Sequence, residues 1–135
     1  MTLDIREYSR ADWFSLITLS DDEWEENIRA VGLSLLNEYD GKYLKMLVAY
    51  NGDNLAGFIY GFVLPNHCLI PEFMYVKPMY RHEGIAQKLL NELEQQSNCE
   101  VSMIFYNKSL HDYYQRQGYT TGDNLETAIK QLSKK

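Results

Sequence analysis

The sequence predicts an α/β or α+β sandwich, with helices covering a mixed β-sheet. Three observations carry this expectation. Two apolar runs rich in strand formers, Met46–Tyr50 and Leu55–Leu64, are joined by Asn51-Gly52-Asp53-Asn54, a strong hairpin signal. A further strand over Leu69–Val76 precedes an amphipathic helix with Ile85, Ala86, Leu89, Leu90 and Leu93 on one face. The 135 residues fit one compact domain, 1–135, and a 45% hydrophobic content is enough for a core, against intrinsic disorder.

The other elements follow in chain order. Leu3–Tyr8 alternates as a first strand. Ser9 followed by Asp12 resembles a capping box, so a helix begins there and runs to about Leu19. Asp21 or Asp22 caps a second helix whose stripe is Trp24, Ile28, Val31 and Leu35, ending before Gly41. Pro71 cannot donate to a ladder and marks a strand start, an edge or a bulge. Val101–Tyr106 reads as a strand and Leu110–Gln117 as a short helix closed by Gly118 at the C′ position. Leu125–Leu132 reads as a helix by propensity or a closing strand by its Thr127/Ile129 alternation.

Composition excludes several classes of function. A net charge of −6, from 13 basic and 19 acidic residues, argues against a nucleic-acid binder. The two cysteines, Cys68 and Cys99, form no CxxC pair, so neither a disulfide framework nor a metal site is expected. No apolar run approaches the roughly 18 residues of a membrane span, and the first residues lack a secretion signal, so a cytoplasmic protein is expected. The 11 tyrosines suit clefts and half-buried strands equally and decide nothing alone.

The informative segment is Val76-Lys-Pro-Met-Tyr-Arg81-His-Glu-Gly84-Ile-Ala86. Pro78 stops the strand, and the small Gly84 and Ala86 let a ligand approach the backbone. The unpaired N–H groups that open the next helix, helped by its dipole, then form an anion site suited to a diphosphate. Arg81, His82 and Lys88 add positive charge nearby. Neither G-x-G-x-x-G nor G-x-x-x-x-G-K-[ST] is present. The bland alternative is that Gly84 eases close packing of helix on strand.

The string V-x-P-x-x-R-x-x-G-I-A ahead of an L-L helix resembles the acetyl-CoA-binding motif of the GNAT superfamily of N-acetyltransferases, whose R/Q-x-x-G-x-G/A signature is matched at Arg81, Gly84 and Ala86. A second segment, Asn107-Lys-Ser-Leu-His-Asp-Tyr113-Tyr114-Gln-Arg-Gln-Gly118-Tyr119, resembles the family's N-x-x-x-x-x-F/Y-Y-x-x-x-G-F/Y helix at the expected distance. Together they cover about 69 to 119.

The resemblance implies a mostly antiparallel central sheet, splayed where acetyl-CoA enters as co-substrate. It implies that the pantetheine arm pairs with Glu72–Val76 like an added strand, through main-chain groups of Met74 and Val76. It places the pyrophosphate on the backbone of Arg81, His82, Glu83, Gly84, Ile85 and Ala86, and Asn107 on the pantetheine or its water. In the chemistry it implies, a free amine attacks the thioester, and the Met74 N–H receives the oxyanion. Tyr114 stands where relatives protonate the leaving thiolate; phenol and thiol pKa values lie roughly 1.5 units apart. Adjacent helix residues point about 100° apart, so at most one of Tyr113 and Tyr114 faces the cofactor directly, and a core stripe through Leu110 takes Tyr113.

Glu72 is the candidate base, and reads equally as a strand carboxylate facing solvent. His67 and His111 read as further candidate bases or as surface or loop histidines, the second reading preferred, and Cys68 as structural. Seven acids between Asp21 and Asp40, against one Arg, make either an acidic rim for polycationic amines or a solvated helix face. Trp13, Phe14 and Trp24 read as cleft lining or as core. The expected acceptor is a primary amine on a small molecule, an amino acid or a peptide N-terminus. A non-catalytic acyl-CoA-binding sensor or interaction module on the same fold is the alternative. Relatives are often dimers, which leaves a homodimer open.

Overall fold

A computed structural model describes residues 2–19, 36, 39–120, 128, 130 and 132. The expected helix over Asp21–Leu35 falls outside these residues, as does nearly all of the ambiguous tail. The chain divides into two compact units, Met1–Ile104 and Phe105–Lys135.

The first unit holds a five-stranded sheet among the described residues: β1 (Leu3–Glu7), β2 (Leu44–Asn51), β3 (Asn54–Val63), β4 (Cys68–Val76) and β5 (Val101–Ser102), in spatial order β1-β2-β3-β4-β5. The first four strands form an antiparallel meander, and β5 runs parallel to β4. Helix α1 (Trp13–Ile17) follows β1, and α2 (Ile85–Ser97) links β4 to β5. The sheet is therefore mixed and mostly antiparallel, as the family resemblance implies.

Local chemistry explains the expected elements. Asn51 pairs with Asn54 and leaves a two-residue loop, in which Gly52 takes the left-handed φ of +63° that such a turn demands. The Ser9 N–H donates to Asp12 Oδ2 at 2.9 Å, the return arm of the predicted capping box. Asp12 is only 1% exposed, and its Oδ1 accepts from the Tyr50 hydroxyl (2.9 Å) and from Arg6 (3.1 Å). The Arg6 guanidinium also lies 4.6 Å over the Tyr50 ring. One buried carboxylate thus ties β1, β2 and the start of α1 together. The α-helix ends at Ile17, short of Leu19, and the Thr18 hydroxyl takes the Phe14 carbonyl at 2.8 Å.

Alternation along β2 and β3 divides the core. Met46, Val48, Tyr50, Phe58 and Tyr60 join Tyr8, Leu16 and Tyr75 in one cluster, against which Trp13 packs half-buried. Phe14 is instead exposed. Leu47, Ala49 and Ile59 face the other way, the side covered by the buried Ile85, Leu89, Leu90 and Leu93 of α2.

β4 selects the bulge among the readings open for Pro71, and β5 departs from the sequence expectation. Pro71 starts no strand: it sits inside β4, paired with Gly61, directly before an irregularity in register. Tyr60 faces Phe73 and Gly61 faces Pro71, so Glu72 is the extra residue of a β-bulge. The strand expected over Val101–Tyr106 spans Val101–Ser102 alone. Its last ladder bond runs from the Met103 N–H to the Leu69 carbonyl (2.8 Å), and the chain then departs from β4.

Glycines on β3 permit this geometry. A Cβ at Gly61 would stand 2.7 Å from the Ile70 carbonyl oxygen and 3.0 Å from Pro71 Cα; one at Gly57 would meet the Tyr75 carbonyl oxygen at 2.5 Å. These are backbone atoms with no side-chain freedom to yield. Gly61→Ala is expected to cost about 1–3 kcal/mol by overpacking, read as a lower urea midpoint at unchanged slope. A midpoint equal to wild type would show that β4 is free to move away.

Candidate functional site: an open strand edge running into an uncapped helix

The Leu69 carbonyl is the last β4 group bonded to β5. The next residue whose main chain faces that side is Pro71, which has no N–H to offer. Beyond the bulge, the Lys77 N–H bonds to the Ala56 carbonyl at 2.8 Å, which marks Lys77/Ala56 as a hydrogen-bonded pair. Antiparallel pairs alternate in type, so Tyr75 and Phe73 turn their main-chain groups to β3, and Met74 and Val76 turn theirs away. Arg81 supports this assignment: its Nε donates to the Val76 carbonyl at 2.8 Å. Among the described residues no strand pairs with this side of β4 between Pro71 and Val76.

The strand ends in a 3-10 turn, Pro78–Tyr80, and a loop over 81–84 that leads into α2. His82 (φ +66°) and Gly84 (φ +79°) both adopt left-handed conformations. A Cβ at Gly84 would meet nothing within 4 Å, so close packing does not explain this glycine. The backbone conformation does, and open space lies beside it.

No side chain caps α2, and its first internal bond runs from the Lys88 N–H to the Gly84 carbonyl (3.2 Å). The amides of Ile85, Ala86 and Gln87 therefore lack helical partners. The Arg81 N–H is already given to the Pro78 carbonyl (3.2 Å), which removes it from the set of free donors expected over Arg81–Ala86. The Arg81 guanidinium lies 5.8 Å from the Tyr75 ring and braces the strand end. Lys88 lines a groove of about 460 Å³ with Leu3, Ile5, Asn91, Glu92 and Gln95.

Glu72, exposed at the bulge, shares the space opposite Tyr60 with Phe73. Burial foremost, and then the Glu72 charge, push the Tyr60 phenol up to about 12. His67 is an exposed left-handed turn residue between β3 and β4. Cys68 and Cys99 are both free and half-buried. Asp40, the described member of the expected acidic rim, accepts the amides of Lys42, Tyr43 and Leu44 and closes the entry to β2.

In the second unit, Asn107 opens a 3-10 turn over Lys108–Leu110 instead of ending a strand, and its Oδ1 accepts the Ser109 N–H at 3.0 Å. Helix α3 (His111–Arg116) follows, and Gly118 takes the C′ position with φ +94°. The expected core stripe is reversed. Leu110 is 43% exposed, and Tyr114, at 6%, is more buried than Tyr113. The Tyr114 ring is flanked by Tyr106 (4.7 Å), Tyr113 (5.0 Å) and Tyr119 (5.8 Å). Burial first, then the neighbouring Tyr113 and Tyr106, raise its phenol above the ordinary range. His111 Nδ1 lies 3.5 Å from the Tyr106 hydroxyl.

This order of strand, bulge, turn and helix defines a class, and the comparisons agree. A family model described as an acetyltransferase (GNAT) domain matches residues 42–121. The chain belongs to the GNAT acetyltransferase family and is an acetyl-CoA-dependent N-acetyltransferase by that membership. Among curated proteins no relative matches. The fold is shared with solved structures of low identity. The aminoglycoside N-acetyltransferase AAC(6')-Iy in complex with CoA has a TM-score of 0.72 at 17% identity, covering 96% of this chain and 100% of its own. Glucosamine-6-phosphate N-acetyltransferase from Arabidopsis thaliana gives 0.66 at 14%, covering 96% and 99%. Ribosomal-protein-alanine N-acetyltransferase from Brucella melitensis biovar Abortus 2308 gives 0.68 at 15%, covering 98% and 100%. No helix among the described residues is long and apolar enough to cross a membrane.

The tyrosines make a prediction about alkali. A phenol whose folded pKa lies above its unfolded value of 10.0 stabilises the fold fully below pH 10 and loses that contribution as pH rises through the folded value. Unfolding free energy should therefore fall between pH 10 and 12, and fall less steeply in Tyr60→Phe. Identical slopes in urea titrations across that window would contradict the assignment.

Proposed function

We propose that the chain moves the acetyl group of acetyl-CoA directly to a primary amine on a small molecule, an amino acid or a peptide N-terminus, with residues 1–135 acting as one domain. The observation that carries this reading is the β4 edge at Met74 and Val76, which no strand among the described residues covers, leading through a turn and loop to a start of α2 with no side-chain cap. An extended amide chain can add to such an edge through main-chain hydrogen bonds, and a diphosphate can end on the amides. Both motifs also lie within the matched span 42–121.

In this reading the main chains of Met74 and Val76 bind the pantetheine, and the amides of His82, Glu83, Gly84, Ile85 and Ala86 bind the pyrophosphate. Arg81 contributes through its brace on Val76 and through its charge, since its own amide is spent. Asn107 offers its NH₂ group to the pantetheine, its oxygen being engaged with Ser109.

Acetyl-CoA supplies the activated acyl group. Glu72 takes the proton of the acceptor's ammonium, directly or through water, and the freed amine forms the C–N bond. The Met74 N–H receives the developing oxyanion. As the C–S bond breaks, Tyr114 gives its proton to the thiolate, the acylated nitrogen loses its second proton to solvent, and Tyr114 is reprotonated from solvent. Its raised pKa keeps it in the acid form at neutral pH, and makes the transfer more uphill than for a free phenol.

Calorimetry and thiol release test these roles together. Gly84→Val is expected to weaken acetyl-CoA binding about tenfold or more, since a left-handed β-branched residue costs upwards of ~1–2 kcal/mol and misplaces the amides. Glu72→Gln and Tyr114→Phe should bind acetyl-CoA with unchanged affinity and release thiol roughly 100-fold more slowly. Unaltered rates in both variants would remove the catalytic assignments; acetyl-CoA binding with no thiol release to any amine would favour an acyl-CoA sensor. No binding at millimolar acetyl-CoA would overturn the reading as a whole.

A further inference from the structure

We propose that Tyr60 is a specificity-determining residue: its hydroxyl and the Glu72 carboxylate receive the acceptor's ammonium, and the Phe62 and Phe73 rings select an amine carried on an aryl or alkyl body. This rests on the acetyl-transfer reading above and adds the class of acceptor.

The bulge supplies the geometry. It sets two β4 residues, Glu72 and Phe73, opposite the single Tyr60 of β3, at the separation of cross-strand neighbours, roughly 4.5–5.5 Å between Cβ atoms. Tyr60 is held by Phe62 edge-to-face at 6.4 Å and by Phe73 at 6.0 Å, and it is only 6% exposed. Its ring is therefore fixed. Glu72 remains exposed, and Phe62 and Phe73 each keep part of their surface accessible. Glu72 acts on Tyr60 through its charge and not through a hydrogen bond, so each oxygen can accept a separate N–H of a primary ammonium. The Tyr60 phenol stays neutral across the physiological range, which makes its oxygen an acceptor that adds no second charge.

Charge and surroundings choose the substrate. A carboxylate and a phenol can both accept from an ammonium, but aromatic walls offer no hydrogen bonds to a ring of sugar hydroxyls, each of which would lose its water unreplaced. An arylalkyl or alkyl chain loses only unfavourable hydration against Phe62 and Phe73. The cation also gains from the faces of the rings.

The test measures thiol release from acetyl-CoA with 2-phenylethylamine, hexylamine and glucosamine, alongside acetyl-CoA titration of the same protein samples. Wild type should show kcat/KM at least tenfold higher for the first two amines than for glucosamine. Tyr60→Phe, which keeps the ring, should raise the KM for 2-phenylethylamine about tenfold while kcat changes less than threefold and acetyl-CoA affinity is unchanged. Phe62→Leu, a second variant, should narrow the preference over glucosamine. Preferred use of glucosamine, or an unchanged amine KM in Tyr60→Phe, overturns this inference and leaves acetyl transfer standing. Absence of acetyl-CoA binding, or of turnover with every primary amine, overturns both.

Discussion

The site depends on one backbone constraint, the interruption of the β4–β5 ladder at Pro71 and Glu72. Up to Leu69 the two strands are bonded; at Pro71 the missing N–H removes a rung, and at Glu72 an extra residue shifts the alternation. Edge groups in a sheet are normally paired, covered or blunted, because unpaired N–H and C=O groups attract other chains. In β4 the edge at Met74 and Val76 is instead followed, after the Pro78–Tyr80 turn and the loop over 81–84, by a helix start whose cap residue, Gly84, makes no side-chain bond. Two kinds of main-chain hydrogen-bonding group, a strand edge and a helix start, thus succeed one another along the chain, and an amide chain ending in a diphosphate needs both.

Close approach of β3 makes the interruption affordable in packing terms. Gly57 and Gly61 let the Tyr75 and Ile70 carbonyls come nearer than any Cβ would allow, so the bulged strand still packs on β3 while no strand among the described residues pairs with its other side beyond Pro71. The face with Phe58, Tyr60, Phe73 and Tyr75 compensates with ring contacts between 5.8 and 6.0 Å. The carboxylate of Asp12 fixes β1 and β2 at the opposite side of the sheet. Burial is concentrated in β2 and β3, and the side of β4 that pairs with no strand among the described residues beyond Pro71 lies away from them.

Much of this was legible in the residues, and the failures have physical causes. The hairpin, the Ser9/Asp12 box and the amphipathic α2 are encoded locally, within one turn or one helical period, and they formed where expected. A bulge is a property of two strands in register. Pro71 alone left a start, an edge or a bulge open; reading it with Gly61, against which it packs, points to the bulge. The strand after Val101 stopped at Ser102 because its partner's donor disappears at Pro71, a fact written 30 residues earlier in the chain. The choice of Tyr113 for the core failed because Leu110 proved exposed, so the stripe it was meant to define does not exist.

The same reasoning explains why a cofactor is easier to read than an acceptor. A ligand held by main chain constrains the few residue types that control backbone shape: a proline that omits a donor, a glycine that accepts a positive φ, a small residue at a helix start. Those requirements are strict, contiguous and visible as a motif, as in Val76 to Ala86. An acceptor is met by side chains drawn from separate strands, and each has an ordinary structural reading. Tyr60 is a core aromatic and Glu72 a surface acid until the bulge sets them opposite each other. Recognition by side chains is therefore recorded in register, and register becomes readable only once the strands are paired.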